Sequence, residues 1–133
     1  MDIKLKILVV DDEENSRDLI NRGLTFSGFS CVTACDGEGA IEKLQKDSSI
    51  NFVITDLNMP KMDGLKLVQK IRCSDNKKLS KIPILLVCGP NNRREEIKKA
   101  EINGFSLKPI GYKELAEKVK GIISSISDTQ ENF

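Results

Sequence analysis

Three aspartates and one lysine stand at the ends of apolar runs. Asp11 and Asp12 close Ile7-Leu8-Val9-Val10, Asp56 closes Phe52-Val53-Ile54-Thr55, and Lys108 follows Phe105-Ser106-Leu107. If those runs are strands of one sheet, the carboxyl groups meet at its edge. Carboxylates about 5 Å apart repel by roughly 3 kcal/mol per pair at an effective dielectric of 20, so such a cluster needs a hard cation or a proton. Oxygen donors of this kind suit Mg²⁺, and a cation beside Asp56 is also what transfer of a phosphoryl group to a carboxylate requires. Each residue has a plainer reading as well: Asp12 as a helix cap, strand-end aspartates as turn formers, Lys108 as a surface lysine.

Other residue types narrow the chemistry. The chain has no histidine, which excludes a Ser-His-Asp or Cys-His centre, a histidine metal site and a phosphohistidine carrier. A phosphohistidine donor would have to be another protein. Cys31, Cys35, Cys73 and Cys88 contain no C-x-x-C pair; on one strand Cys31 and Cys35 would lie about 13 Å apart, too far to share a metal, so free thiols are expected. Lys plus Arg number 21 against 20 Asp plus Glu, without a long block of either sign, so neither nucleic acid nor a membrane surface is expected as a partner. No stretch reaches the roughly 18 apolar residues of a span and no signal core opens the chain, which gives the cytoplasm as the expected location.

The elements that must position these residues are legible as alternating runs. Strands are expected over 5–10, 30–34, 51–55, 82–88 and 104–107, and helices over 15–27, 38–47, 64–73, 92–102 and 111–126. Five strand-helix units of this kind make an α/β fold, with helices on both faces of a parallel sheet. Leu115, Ala116, Val119, Ile122, Ile123 and Ile126 recur at steps of three and four, one apolar stripe on the last helix. Asn15 or Ser16, Asp63, and Asn92 with Glu95 are candidate helix caps; Gly28 and Asn103-Gly104 are candidate stops. The first, third and fourth strands are continuously aliphatic, as central strands are, whereas the second and fifth are short and mixed. That ranking favours a flavodoxin-like, doubly wound (βα)5 sheet in the order 2-1-3-4-5, with a site at the switch point between strands 1 and 3. Lys108 would then lie two strands from Asp56, about 9.5 Å at a spacing of roughly 4.8 Å, a gap its long stem largely crosses. At 133 residues the expectation is one domain over 1–126 with a flexible tail over 127–133.

Asp11-Asp12, the run from Thr55 to Pro60 followed by Met62-Asp63-Gly64, and Lys108-Pro109 together resemble the receiver domain of bacterial two-component response regulators, most nearly the single-domain chemotaxis type. The resemblance implies that Asp56 is the phosphoacceptor. It implies that Asp12, Asp56 and the backbone carbonyl of Asn58 bind Mg²⁺ directly, and that Asp11 holds the ion through water. Lys108 would pair with a phosphoryl oxygen, and Lys108-Pro109 would be cis. The donor would be a sensor histidine kinase or a phosphotransfer protein. A stand-alone receiver would signal by altered binding to a separate output protein through its fourth helix, fifth strand and fifth helix, with Tyr112, Lys113, Glu117 and Lys120 on that last helix. It would catalyse only its own phosphorylation and dephosphorylation.

Several positions depart from the pattern. Cys88 stands where the family has Thr or Ser, and a thiol is the weaker donor to a phosphoryl group; it reads as a weakened switch or as a tolerated small buried residue. Phe105 is either the switch aromatic or an edge-strand core residue. Asn58 and Pro90 occupy the positions that tune acyl-phosphate lifetime, and Pro90, with no polar side chain to orient water, implies a long one. Glu101-Ile102 replaces the usual Gly-Ala before the fifth strand. Two other readings compete: a receiver uncoupled from phosphorylation and kept for protein contacts, and a small Mg²⁺-dependent phosphohydrolase. The second would need an acid where Asn58 stands. A flavin protein is disfavoured by the acidic loop after the first strand.

Overall fold

The computed structural model of the protein describes residues 4–131, with side chains to Ile126. Five strands form one sheet: β1 (Lys6–Val10), β2 (Ser30–Ala34), β3 (Phe52–Asp56), β4 (Ile84–Cys88) and β5 (Gly104–Leu107). Their order is β2-β1-β3-β4-β5, every neighbouring pair parallel. The expected order and edge strands are therefore those observed. Between and after the strands run α1 (Glu14–Phe26), α2 (Gly37–Lys46), α3 (Gly64–Arg72), α4 (Lys77–Ser80), α5 (Arg94–Lys99) and α6 (Tyr112–Glu131).

The alternation of strand side chains divides the core into layers. Leu8, Val10 and Val53 face α2 and α3, where Ala40, Leu44, Leu67, Val68 and Ile71 cover them. Ile7, Val9, Phe52, Ile54, Leu85 and Val87 face α1 and α6, packing on Leu24, Leu115, Ala116, Val119 and Ile122. Leu86 and Cys88 meet Leu57 and Ile97 of α5. Each fully buried aliphatic or Phe side chain contributes about 1.5–3 kcal/mol, so the middle strands are held firmly and their ends make a rigid platform. Among the described residues no helix is long and apolar enough to cross a membrane.

The differences from expectation lie at helix ends and in loops. Helix α1 begins at Glu14, with Glu13 as N-cap and no side-chain cap bond, so neither Asn15 nor Ser16 caps it. Asp11 Oδ1 accepts the amide of Glu13 at 3.0 Å instead, and an acidic first turn suits the positive end of a helix. Asp63 does cap α3, accepting the amide of Lys66, and Gly28, at φ +99°, follows the C-cap of α1. The capping box at Asn92 is absent: α5 starts at Arg94 behind an uncapped Arg93, whose amide donates to Asn91 Oδ1 at 2.8 Å.

Helix α5 also stops at Lys99 rather than at Asn103-Gly104. The reason is a competing use of Asn103, whose Oδ1 accepts the Ile84 amide at 2.9 Å and an Arg72 N–H at 3.2 Å, tying Asn103 to the start of β4. Arg72 further donates to the carbonyls of Glu101 (2.8 Å), Ser80 (3.0 Å) and Ile82 (2.7 Å), tying two loops together. Between the helix expected over 64–73 and the strand expected over 82–88, the polar stretch from Ser74 to Lys81 contains the short α4 capped by Asn76. Helix α6 runs to Glu131, beyond the last apolar position of its stripe and through most of the expected tail; residues 132–133 lie outside those described. No Pro or Gly interrupts it after Gly121.

Candidate functional site

The parallel register brings the candidate residues together at the carboxyl ends of the strands. Val10 pairs with Thr55, and Asp56 with Val87, so Asp11, Asp12 and Asp56 leave adjacent strands at one level. Their carboxylates each offer an oxygen within 4.8 Å of the others. Asp11 is 1% and Asp56 9% exposed, whereas Asp12 faces solvent and, among the described residues, makes no hydrogen bond or ion pair. Three acidic oxygens with one open side, two of them on buried side chains, are the donor set that a hard, water-retaining cation takes.

Lys108 completes the site. Its Nζ lies 3.4 Å from Asp56 Oδ2 and 3.4 Å from Asp11 Oδ2, so the stem spans the interval across β4 and β5. Its backbone continues the ladder, the Lys108 amide donating to the Cys88 carbonyl at 2.8 Å, and Lys108-Pro109 is cis. The remaining carboxylate oxygen of Asp56 accepts the Leu57 amide at 2.9 Å.

The electrostatics follow from this packing. Burial, with the Asp11 carboxylate nearby, pushes the Asp56 carboxyl above the ordinary carboxylate range even though Lys108 pulls the other way. Burial works against the Lys108 ammonium, but Asp56 and Asp11 outweigh it and hold the lysine above its usual value. Three carboxylates against one ammonium leave the cluster two charges negative, so a divalent cation would balance it.

Close packing sets the position of Asp56. A Cβ on Gly64 would lie 2.3 Å from the Asp56 carbonyl oxygen and 3.0 Å from Leu57 Cα, so only glycine lets α3 start this near the strand end. The Gly64 amide donates to the Leu57 carbonyl at 2.8 Å. This role was contained in the Met62-Asp63-Gly64 signature but not readable from spacing alone.

The remaining candidates are spread around the cluster. Cys88 is fully buried against Leu57, Leu86 and Ile97, and its sulfur accepts an N–H of Asn91 at 3.5 Å. Burial pushes the thiol above its usual value, which disfavours the thiolate. Asn58 and Pro90 are both exposed, and Pro90 lines a cavity with Lys108 and Ser16. Phe105 is 43% exposed and so is no core residue. With Leu107, Lys113 and Glu117 it lines a groove between β5 and α6. Tyr112 turns from that groove toward α1, its ring edge-on to Phe26 at 5.9 Å and its Cβ against Gly23. Sequence reading treated Ser16 only as a cap, whereas its Oγ is 3.5 Å from Lys108 Nζ. It also missed the ion pair of Arg93 with Asp63.

Comparison with known proteins agrees with this geometry. The description "response regulator receiver domain" matches residues 7–120. A chemotaxis protein CheY homolog of Campylobacter jejuni is 36% identical over 124 residues, covering 91% of this chain and 94% of that protein. A probable transcriptional regulator, ycf27 of Cyanidium caldarium, is 34% identical over 90% of this chain, which spans about half (47%) of that longer protein. The solved chemotaxis response regulator CheY4 of Vibrio cholerae superposes with a TM-score of 0.81 at 28% identity, covering 90% of this chain and 99% of the other. The chain therefore belongs to the response regulator receiver domain family, the CheY-like proteins of phosphorylation-based two-component signalling.

Proposed function

We propose that Asp56 accepts a phosphoryl group from a phosphohistidine of a sensor kinase or phosphotransfer protein, and that the chain then signals by altered binding to an output protein. The observation that carries this reading is Asp56 itself: a carboxylate 9% exposed, contacted by a lysine at 3.4 Å and grouped with two further acids within 4.8 Å. Asp12, Asp56 and the Asn58 carbonyl would hold Mg²⁺, with Asp11 behind them. The ion supplies charge neutralisation for the incoming phosphoryl oxygens. One Asp56 oxygen attacks phosphorus in line, the P–N bond breaks with its electron pair going to the imidazole, and an acyl phosphate remains. Lys108 lies where it can pair with a phosphoryl oxygen at that point.

The output surface we favour is α5, β5 and α6, where Phe105 and Leu107 stand exposed beside Lys113 and Glu117. A second reading, a weakened response to phosphorylation, is favoured by Cys88, whose sulfur sits in an apolar cluster and is a poor donor. With Pro90 offering no side chain to position water, we expect an acyl phosphate that outlasts seconds. The test is acetyl phosphate with Mg²⁺ followed by intact mass. A gain of one phosphoryl unit in the native chain and none in Asp56→Asn supports the proposal; no gain in either refutes it.

A further inference from the structure

Two loops border Asp56. Residues 57–63 follow β3 and carry Asn58, while residues 89–93 follow β4, whose Val87 is in register with Asp56. The second loop is folded on itself, Asn91 Nδ2 donating to the Gly89 carbonyl at 2.9 Å and the Arg93 amide to Asn91 Oδ1 at 2.8 Å. Among the described residues one polar link joins residues 58–63 to residues 89–93: Arg93 Nη1 donates to Asp63 Oδ2 at 2.9 Å. Both partners are held in place. The other oxygen of Asp63 caps α3 through the Lys66 amide at 2.8 Å. Glu96 accepts Arg93 Nη2 at 2.8 Å and Nε at 3.3 Å, which fixes the guanidinium plane. The pair is partly shielded, its side chains 27% and 31% exposed.

We infer that Arg93 is a positioning residue for phosphorylation: its ion pair with Asp63 clasps the loops on either side of Asp56 and resists the rearrangement that a phosphoryl group demands. The inference rests on Asp56 being the acceptor. A phosphoryl group there places up to two negative charges and three acceptor oxygens near Cys88 and Gly89, one and two residues beyond the position paired with Asp56. Such oxygens draw N–H donors. Gly89 has an amide to offer and Pro90 has none, so the loop must turn at Gly89. That turn shifts residues 89–93 against residues 58–63, and the clasp spans them.

The test compares the unphosphorylated native chain with Arg93→Ala, Asp63→Ser and the double variant by amide hydrogen exchange; serine at position 63 keeps the α3 cap. Each single variant should speed exchange in both loops about three- to fivefold, the range a partly exposed ion pair can hold, and the double variant no more than either. Initial phosphoryl uptake from acetyl phosphate with Mg²⁺ should rise by a similar factor in all three, with Arg93→Lys intermediate. Glu42→Gln, which breaks the exposed pair with Lys46, should change neither readout. Loosening confined to the substituted loop, additive effects in the double variant, or slower uptake would overturn the clasp. A native chain that gains no phosphoryl unit removes the acceptor reading, and hydrogen exchange alone then decides the clasp.

Discussion

Replacing Lys108 by methionine should tighten Mg²⁺ binding while slowing phosphorylation, because the lysine and the cation compete for the same carboxylates. The ammonium lies 3.4 Å from both Asp11 and Asp56, and each contact amounts to about 5 kcal/mol of gross attraction at an effective dielectric of 20. The acids, with oxygens 4.8 Å apart or less, repel one another by about 3.5 kcal/mol per pair on the same scale. Methionine keeps the length of the stem and removes the charge, leaving the cluster three charges negative. A divalent ion held by these carboxylates would be repelled by the ammonium by about 1–2 kcal/mol even at the dielectric of water, roughly a factor of ten in affinity. Calorimetric titration of native and Lys108→Met protein with MgCl₂ at neutral pH should therefore show about tenfold tighter binding in the variant, alongside slower uptake from acetyl phosphate. An affinity equal to the native value within a factor of two, or weaker, would refute the idea that Lys108 and the metal share one site.

Other substitutions test the scaffold around that site. Arg72→Ala should cost about 2–3 kcal/mol in urea unfolding, since three carbonyls and Asn103 Oδ1 lose a charged donor; Arg72→Lys, lacking the planar fork, should recover only part of it. Gly64→Ala forces a methyl into the Asp56 carbonyl, and we expect about 2–3 kcal/mol of destabilisation with weakened Mg²⁺ binding, read by thermal melts and calorimetry. Asp47 is held down at about 2 by its bond from Lys6 and by Ser49. Its depressed folded pKa means stabilisation that is complete above the ordinary carboxylate value and lost as pH falls toward 2. The difference in urea midpoint between native and Asp47→Asn protein should thus be constant from pH 7 to about 5 and shrink between roughly pH 4 and 2. Cys88→Thr should widen the gap in output-partner affinity between phosphorylated and unphosphorylated protein; an unchanged gap would discard the weakened switch.

Much of this protein was legible along the chain. Strand and helix periods, the aliphatic character of β1, β3 and β4, and the mixed edge runs β2 and β5 determined the parallel sheet and its order, because burial on two faces leaves a compositional mark on each strand. The positions of Asp11, Asp12, Asp56 and Lys108 at strand ends followed from the same runs, since a parallel sheet gathers its carboxyl ends on one side. What only the tertiary structure decided depends on partners far apart in sequence. Arg72 and Asn103 shorten α5, Arg93 reaches Asp63, and Gly64 admits α3 to the back of Asp56. The expected helix signals failed in two ways: at Asn92 a short turn, with the Arg93 amide bonded to Asn91 Oδ1, displaced the cap, and at Asn103 bonds from Ile84 and Arg72, distant in sequence, displaced the stop. Local preference is worth about a kilocalorie per residue, and a single well-placed charged contact in the folded chain is enough to overrule it.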